Sequence, residues 1–148
     1  MTESEFHQRQ AVLAEAIEWL NTPFHHNQCC KGAGVDCANF LYGVFKNAGL
    51  APELDIGHYP PDWYLHRDEE RFLGWVTQFG RKIEEPPFKP ADVVMYRYGR
   101  CFAHSAIVIE WPKIIHAYSP AGRVRYASAF EGPLEHRPRE IYRYKDWA

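Results

Sequence analysis

"GAGVDCANFLYGVFKNAGL", residues 32–50, sets a glycine-bearing loop ahead of an Asp-Cys pair and follows it with an apolar run. Phe40, Leu41, Val44 and Phe45 recur at the offsets of one helix face, and Gly49 is placed to end that helix. Cys37 therefore falls in its first turn. Free N–H groups and the positive end of the helix dipole favour a thiolate over a thiol there, so the expectation is a Cys37 pKa below that of a free cysteine.

Upstream, Phe6, Val12, Leu13, Ala16, Ile17, Trp19 and Leu20 fall near helical spacing and predict an amphipathic helix over residues 4–20, stopped by "NTP" at 21–23. A polar, cysteine-containing loop then runs to Asp36. Downstream, residues 51–65, with "HYPPDWY", suggest an ordered loop or short helical turn, and a helix is expected over 68–80. "EEPPFKP" at 84–90 marks a break in composition, after which the periodicity changes. "DVVMYRY" (92–98), "HSAIVIEW" (104–111), "KIIHAY" (113–118), "RVRYAS" (123–128) and "REIYRYK" (139–145) are short, β-branched or aromatic, and divided by turn residues. Helices first and antiparallel-type strands after predict an α+β fold in a single domain, 1–148.

The composition narrows the function classes. Of the 148 residues 46% are hydrophobic and 16% aromatic, enough for one core. The formal charge of -2, with Lys and Arg scattered, argues against nucleic acid as a partner. No apolar run approaches the ~20 residues of a membrane span, and "MTESEF" carries acids where an export signal needs bases. The expectation is a protein made in the cytoplasm, with no membrane partner and with Cys29, Cys30, Cys37 and Cys101 reduced rather than paired. A metal site drawn from His25, His26, Cys29 and Cys30 lacks the C-x2-C spacing of zinc sites and a second ligand pair. Neither metal nor cofactor is expected.

A reactive thiol needs a histidine to take its proton and later return one to the leaving group, and that histidine needs a polar group to orient it. His104 opens a strand of the sheet half, and His116 lies in the next strand across a tight connection. Even offsets keep residues on one side of a sheet, so a hairpin permits a Cys37–His104–His116 set. The alternatives are a buried apolar cysteine and two packed histidines.

"GVDCANFLYGVFKNAGL" resembles the nucleophile motif of the NlpC-type cell-wall peptidases, papain-like cysteine enzymes. "KPADVVMYRYGRCFAHSAIVIEWPKIIHAY" resembles that family's second block, an Asp, a hydrophobic strand, the catalytic His and an "IHA" strand with the third polar residue. "TPFHHNQCCKGAGVDC" and "YPPDWYLHRDEE" look most like the branch encoded with phage tail genes. The resemblance covers residues 17–118. It implies a papain-like fold with Cys37 as nucleophile, His104 as general base and acid, and His116 orienting His104. It further implies an oxyanion and substrate-binding set of the Cys37 N–H and Asp36, with peptidoglycan stem peptide as substrate, cut beside a γ-linked D-glutamate. Phage tail proteins are the partners implied, and the virion the implied location. Phe24 stands where the family usually has a tyrosine whose hydroxyl assists the oxyanion hole, and His25 or His26 is the expected replacement donor. Ala38 and Asn39 occupy positions commonly Ser and Gly, and Ala91 one where Gly often precedes the Asp. Two other readings remain: a tail-assembly or interaction protein with a surface of Trp63, Tyr64, Trp75 and Trp111, and a papain-like amidase or acyltransferase on a cytoplasmic small molecule.

Overall fold

A computed structural model describes residues 1–52, 74, 76–99 and 101–148, the side chains of 101–103 excepted. Helix α1 (Glu3–Glu18) starts where the Thr2 side chain accepts a hydrogen bond from the Glu5 N–H at 3.1 Å. Its buried stripe is Glu5, Arg9, Val12 and Ala16, so two of its four inward positions are charged. Phe6 and Ile17, which the apolar spacing had placed inward, are exposed. Strands β1 (Cys29–Cys30) and β2 (Gly34–Val35) pair as a small antiparallel ladder inside the expected polar loop.

Helix α2 (Cys37–Asn47) follows at once, with Asp36 as its N-cap, and Gly49 lies beyond its end at φ 83°. It crosses α1 closely: a Cβ on Gly43 would come within 2.9 Å of the Trp19 ring, so glycine is required there. The expected 51–65 loop, and with it Trp63 and Tyr64, falls mostly outside the described residues, as does Trp75. Of the expected 68–80 helix, residues 74 and 76–79 are described and helical, but Gly80 already belongs to a strand.

Strands β3 (Gly80–Ile83), β4 (Val93–Tyr98), β5 (Cys101–Glu110), β6 (Lys113–Tyr118), β7 (Arg123–Ser128) and β8 (Arg139–Tyr144) form one antiparallel sheet in the order β3-β8-β4-β5-β6-β7. One apolar cluster joins α1 and α2 to the sheet through Val12, Phe40, Val44, Met95, Ile107 and Ile115. A second, with Val94, Tyr96, Ala106, Ile114 and Leu134, lies on the other side of the strands. Each fully buried aliphatic side chain contributes about 1.5–3 kcal/mol. Helices packed on an antiparallel sheet make the α+β, papain-like arrangement expected from the sequence.

Where β4 begins, the fold buries ions instead of apolar groups. Asp92 is fully buried, and its Oδ1 accepts from Arg9 at 3.1 Å and Arg143 at 2.9 Å while Oδ2 accepts from Arg143 at 2.7 Å. Arg9 also donates to Glu5 and to the Pro90 carbonyl, and Arg143 to the carbonyls of Pro87 and Ala148. Ala91, just before, holds φ 75°, a left-handed backbone that glycine adopts freely and alanine at a cost.

Candidate active site

The hairpin of β5 and β6 brings the two expected histidines together. His104 and His116 are both buried, and His104 Nε2 lies 2.8 Å from His116 Nδ1, a hydrogen bond. Aromatic rings close round them. Tyr118 stacks on His116 at 4.6 Å with planes 10° apart, and Tyr96, Tyr98 and Tyr118 lie 5.9, 6.4 and 5.4 Å from His104. Burial disfavours the imidazolium, so His104 is pushed down to about 3, with His116 adding to the effect, and His116 down to about 4, with Arg125 adding to it. Both rings are neutral near pH 7. His116 Nε2 is buried with no hydrogen-bond partner among the described residues.

Cys37 opens α2 and faces β5. Its carbonyl accepts from Ser105 Oγ at 3.4 Å, and the Ser105 backbone N–H favours the charged form of its thiol, so Cys37 lies against the residue that follows His104. Burial first, and last a charge on Cys37 when it ionises, raise the Tyr98 phenol, whose ring centroid lies 6.4 Å from that of His104. The expectation of a low thiol pKa fails. Cys37 keeps a partly exposed surface, yet burial by the atoms crowding it, and then the Asp36 carboxylate, push its thiol up to about 12. The amides of Ser105, Ala38 and Cys37 pull the other way without prevailing. The helix N-terminus that was to stabilise a thiolate is already occupied by the carboxylate of Asp36.

Asp36 works as that cap. Oδ1 accepts from the Asn39 N–H at 2.9 Å and its side-chain amide at 3.0 Å, and Oδ2 accepts from the Asn27 N–H at 2.8 Å, tying the preceding loop to the helix. Asn39 thereby meets the cap with both its backbone and its side-chain amide. Phe24 pairs with Val35 through its backbone and packs its ring on the first core cluster, His25 is exposed with its N–H bonded to the Val35 carbonyl, and His26 is half-buried. Cys29, Cys30 and Cys37 are free thiols, and among the described residues no group of three or more His, Cys, Asp or Glu side chains could hold a metal ion.

No family model and no curated protein matches the chain. Solved structures do. The NlpC/p60 domain of the peptidoglycan hydrolase SagA superposes with a TM-score of 0.61 at 22% identity, over 90% of this chain and 97% of its own. NlpC1 from Trichomonas vaginalis gives 0.66 at 13% identity over 93% of this chain, which spans 43% of that longer protein. RipD from Mycobacterium tuberculosis, a non-catalytic NlpC/p60 domain protein adapted to peptidoglycan binding, gives 0.61 at 12% identity over 92% and 96% of the two chains.

The fold is that of an NlpC/p60 domain.

A hydrolase and a non-catalytic binder share the NlpC/p60 fold, so what this chain does rests on its own side chains. Sequence reasoning missed several of them. Tyr98 and Tyr118, which wall the histidine pair, sit in strands where aromatic residues read as ordinary sheet formers. Ser105 is hidden by its place next to His104. Arg137, from the segment before β8, holds its guanidinium carbon 4.0 Å from the Tyr98 ring centroid.

Proposed function

We propose that the chain is a cysteine hydrolase that cleaves an amide bond in peptidoglycan stem peptides, with Cys37 as nucleophile, His104 as general base and acid, and His116 as the residue that positions His104. The observation that carries the reading is the 2.8 Å bond from His104 Nε2 to His116 Nδ1, made beside a helix whose first residue is Cys37. With Nε2 engaged by His116, Nδ1 is the nitrogen left to take the thiol proton, which requires Nε2–H to donate and His116 to accept.

The steps follow from that tautomer. Cys37 Sγ attacks the amide carbon as its proton passes to His104 Nδ1. Moving the proton charges both groups together, and their attraction in a site poor in water offsets the burial each would meet alone. Backbone N–H groups at the start of α2 meet the charge developing on the carbonyl oxygen. Collapse breaks the C–N bond as His104 returns the proton to the departing amine, and water, deprotonated by His104, then hydrolyses the thioester. The hydrolase neighbours support peptidoglycan as substrate. A place among phage tail proteins rests on the sequence resemblance.

A second reading is a wall-binding domain without turnover. The protonated thiol and the absence of a hydroxyl at Phe24 favour it. Incubating the protein with defined muropeptides and identifying products by mass separates the two. The hydrolase reading expects a new amine and a new carboxylate at one amide bond, and unchanged muropeptides bound by folded protein would establish the binder.

A further inference from the structure

The end of β4 and the segment before β8 border an open surface hollow of about 320 Å³ lined by Arg97, Gly99, Pro133, His136, Arg137 and Pro138. The Arg97 N–H donates to the Pro138 carbonyl at 2.8 Å and pins the two walls together. Among the described residues two arginines and a histidine line the hollow and no carboxylate does, in a chain whose formal net charge is -2. Glu135 stands outside the lining, its carboxylate 3.9 Å from His136, and both side chains are well exposed.

Arg137 differs from the other half-buried and buried arginines of the fold. Arg9 and Arg143 direct their guanidinium groups at Asp92 and at backbone carbonyls, Arg125 pairs with Glu131, and Arg139, which also lies over aromatic rings, donates to the carbonyls of Leu134 and Glu135. Arg137 has the Tyr98 ring, and among the described residues its N–H groups meet no carboxylate. A ring contact holds the cation in place and leaves its donors available for a planar anion. The same Tyr98 ring has its centroid 6.4 Å from that of the His104 imidazole, so one ring neighbours both the guanidinium and the histidine pair.

We infer that Arg137, with the cationic hollow behind it, is an anion subsite that holds a free carboxylate of the substrate beside the scissile amide. The inference deepens the hydrolase reading and rests on it for the identity of the substrate. The chemistry agrees: a γ-linked glutamate leaves its α-carboxylate free a few bonds from the amide it forms, and amidation of that carboxylate removes the charge and the bidentate acceptor pair together. Substrates with the free acid are preferred and those with the carboxamide discriminated against.

Binding tests this apart from turnover. In a Cys37→Ala protein, calorimetry would compare a synthetic stem peptide carrying the free α-carboxylate with its carboxamide, alone and combined with Arg137→Ala or Arg137→Lys. The acid should bind about tenfold tighter than the amide, Arg137→Ala should reduce that preference to within about twofold, and Arg137→Lys should keep part of it. With Cys37 present, Arg137→Ala should raise KM for the acid and leave kcat within about threefold. Inorganic phosphate should displace the acid no better than chloride at matched ionic strength. Equal binding of acid and amide, a preference that survives Arg137→Ala, or selective displacement by phosphate would overturn the inference. If the peptides are bound with an Arg137-dependent preference for the acid but not cleaved, the subsite stands and the hydrolase reading falls. Cleavage of acid and amide alike would do the opposite.

Discussion

Two buried polar clusters lie in this sheet and are built on opposite principles. At the start of β4, Asp92 is surrounded by Arg9 and Arg143, and both of its oxygens have a short charged partner, while Glu5 pairs with Arg9 through Oε1 and keeps a buried Oε2 with no partner among the described residues. In the β5–β6 hairpin, His104 and His116 are buried just as deeply, yet they are uncharged, share one hydrogen bond, and leave His116 Nε2 without a partner among the described residues. The first cluster fastens α1, β4, β8 and the final residue together. The second fastens little and leaves a nitrogen without compensation, which costs about 1–3 kcal/mol. Buried polar groups kept in spite of such a cost are candidates for chemistry.

Breaking the first cluster should produce the largest change in stability. Asp92→Ala leaves two arginines buried without their anion, and urea unfolding should show a loss of about 3–5 kcal/mol. Turnover per folded molecule should stay within a few-fold of the parent. A loss below about 1 kcal/mol would mean that the network is not the fastening described.

The second cluster should respond in the reverse sense. His116→Ala should lower turnover at least about 100-fold by freeing His104 to turn, while stability falls by under about 2 kcal/mol. His116→Asn or His116→Gln, which can still accept a hydrogen bond, should recover part of the rate. Turnover and melting temperature measured on the same variants decide between positioning and packing. Activity per folded molecule unchanged in His116→Ala would make the histidine a packing residue.

A smaller effect sharpens the contrast through pH. His104 and His116 have folded values near 3 and 4 against an ordinary 6.5, so the unfolded chain binds protons that the folded one refuses. Their contribution is complete above 6.5 and is lost as pH falls towards 4 and 3. Cys37 is raised from 9.0 to about 12, so its contribution is complete below 9 and is lost as pH rises towards 12. The melting temperature should therefore fall on both sides of a plateau between about 6.5 and 9. Cys37→Ala should reduce the alkaline shoulder, to which the raised Cys29 and Tyr98 also contribute, and leave the acid one. An unchanged alkaline shoulder in Cys37→Ala would contradict the buried, protonated thiol.

The two clusters were not equally legible beforehand. Cys37 is visible in sequence because it opens a strongly patterned helix, and His104 and His116 because each is a polar residue set in an apolar strand; His104 does not open its strand as expected, since β5 already begins at Cys101. The Asp92 network is not visible: its partners lie 83 and 51 positions away, and each charge alone reads as a solvated surface residue. The same blindness put Phe6 and Ile17 on the inner face of α1, where Glu5 and Arg9 in fact lie. Strand β3 and the β1–β2 ladder escaped because four and two residues are too few to show an alternation. The thiol expectation failed because it considered the helix terminus and omitted first the burial of the thiol and then the carboxylate that caps the helix.

Hydrolysis by this site requires Cys37 to form a bond to substrate. The direct measurement is rapid acid quenching of the protein during incubation with a defined muropeptide, followed by peptide mapping by mass. The expected result is an acyl group on the peptide that contains Cys37, present in the parent and lost in His104→Ala. Cleavage that proceeds with no acyl group on Cys37, or that persists in Cys37→Ala, would contradict it.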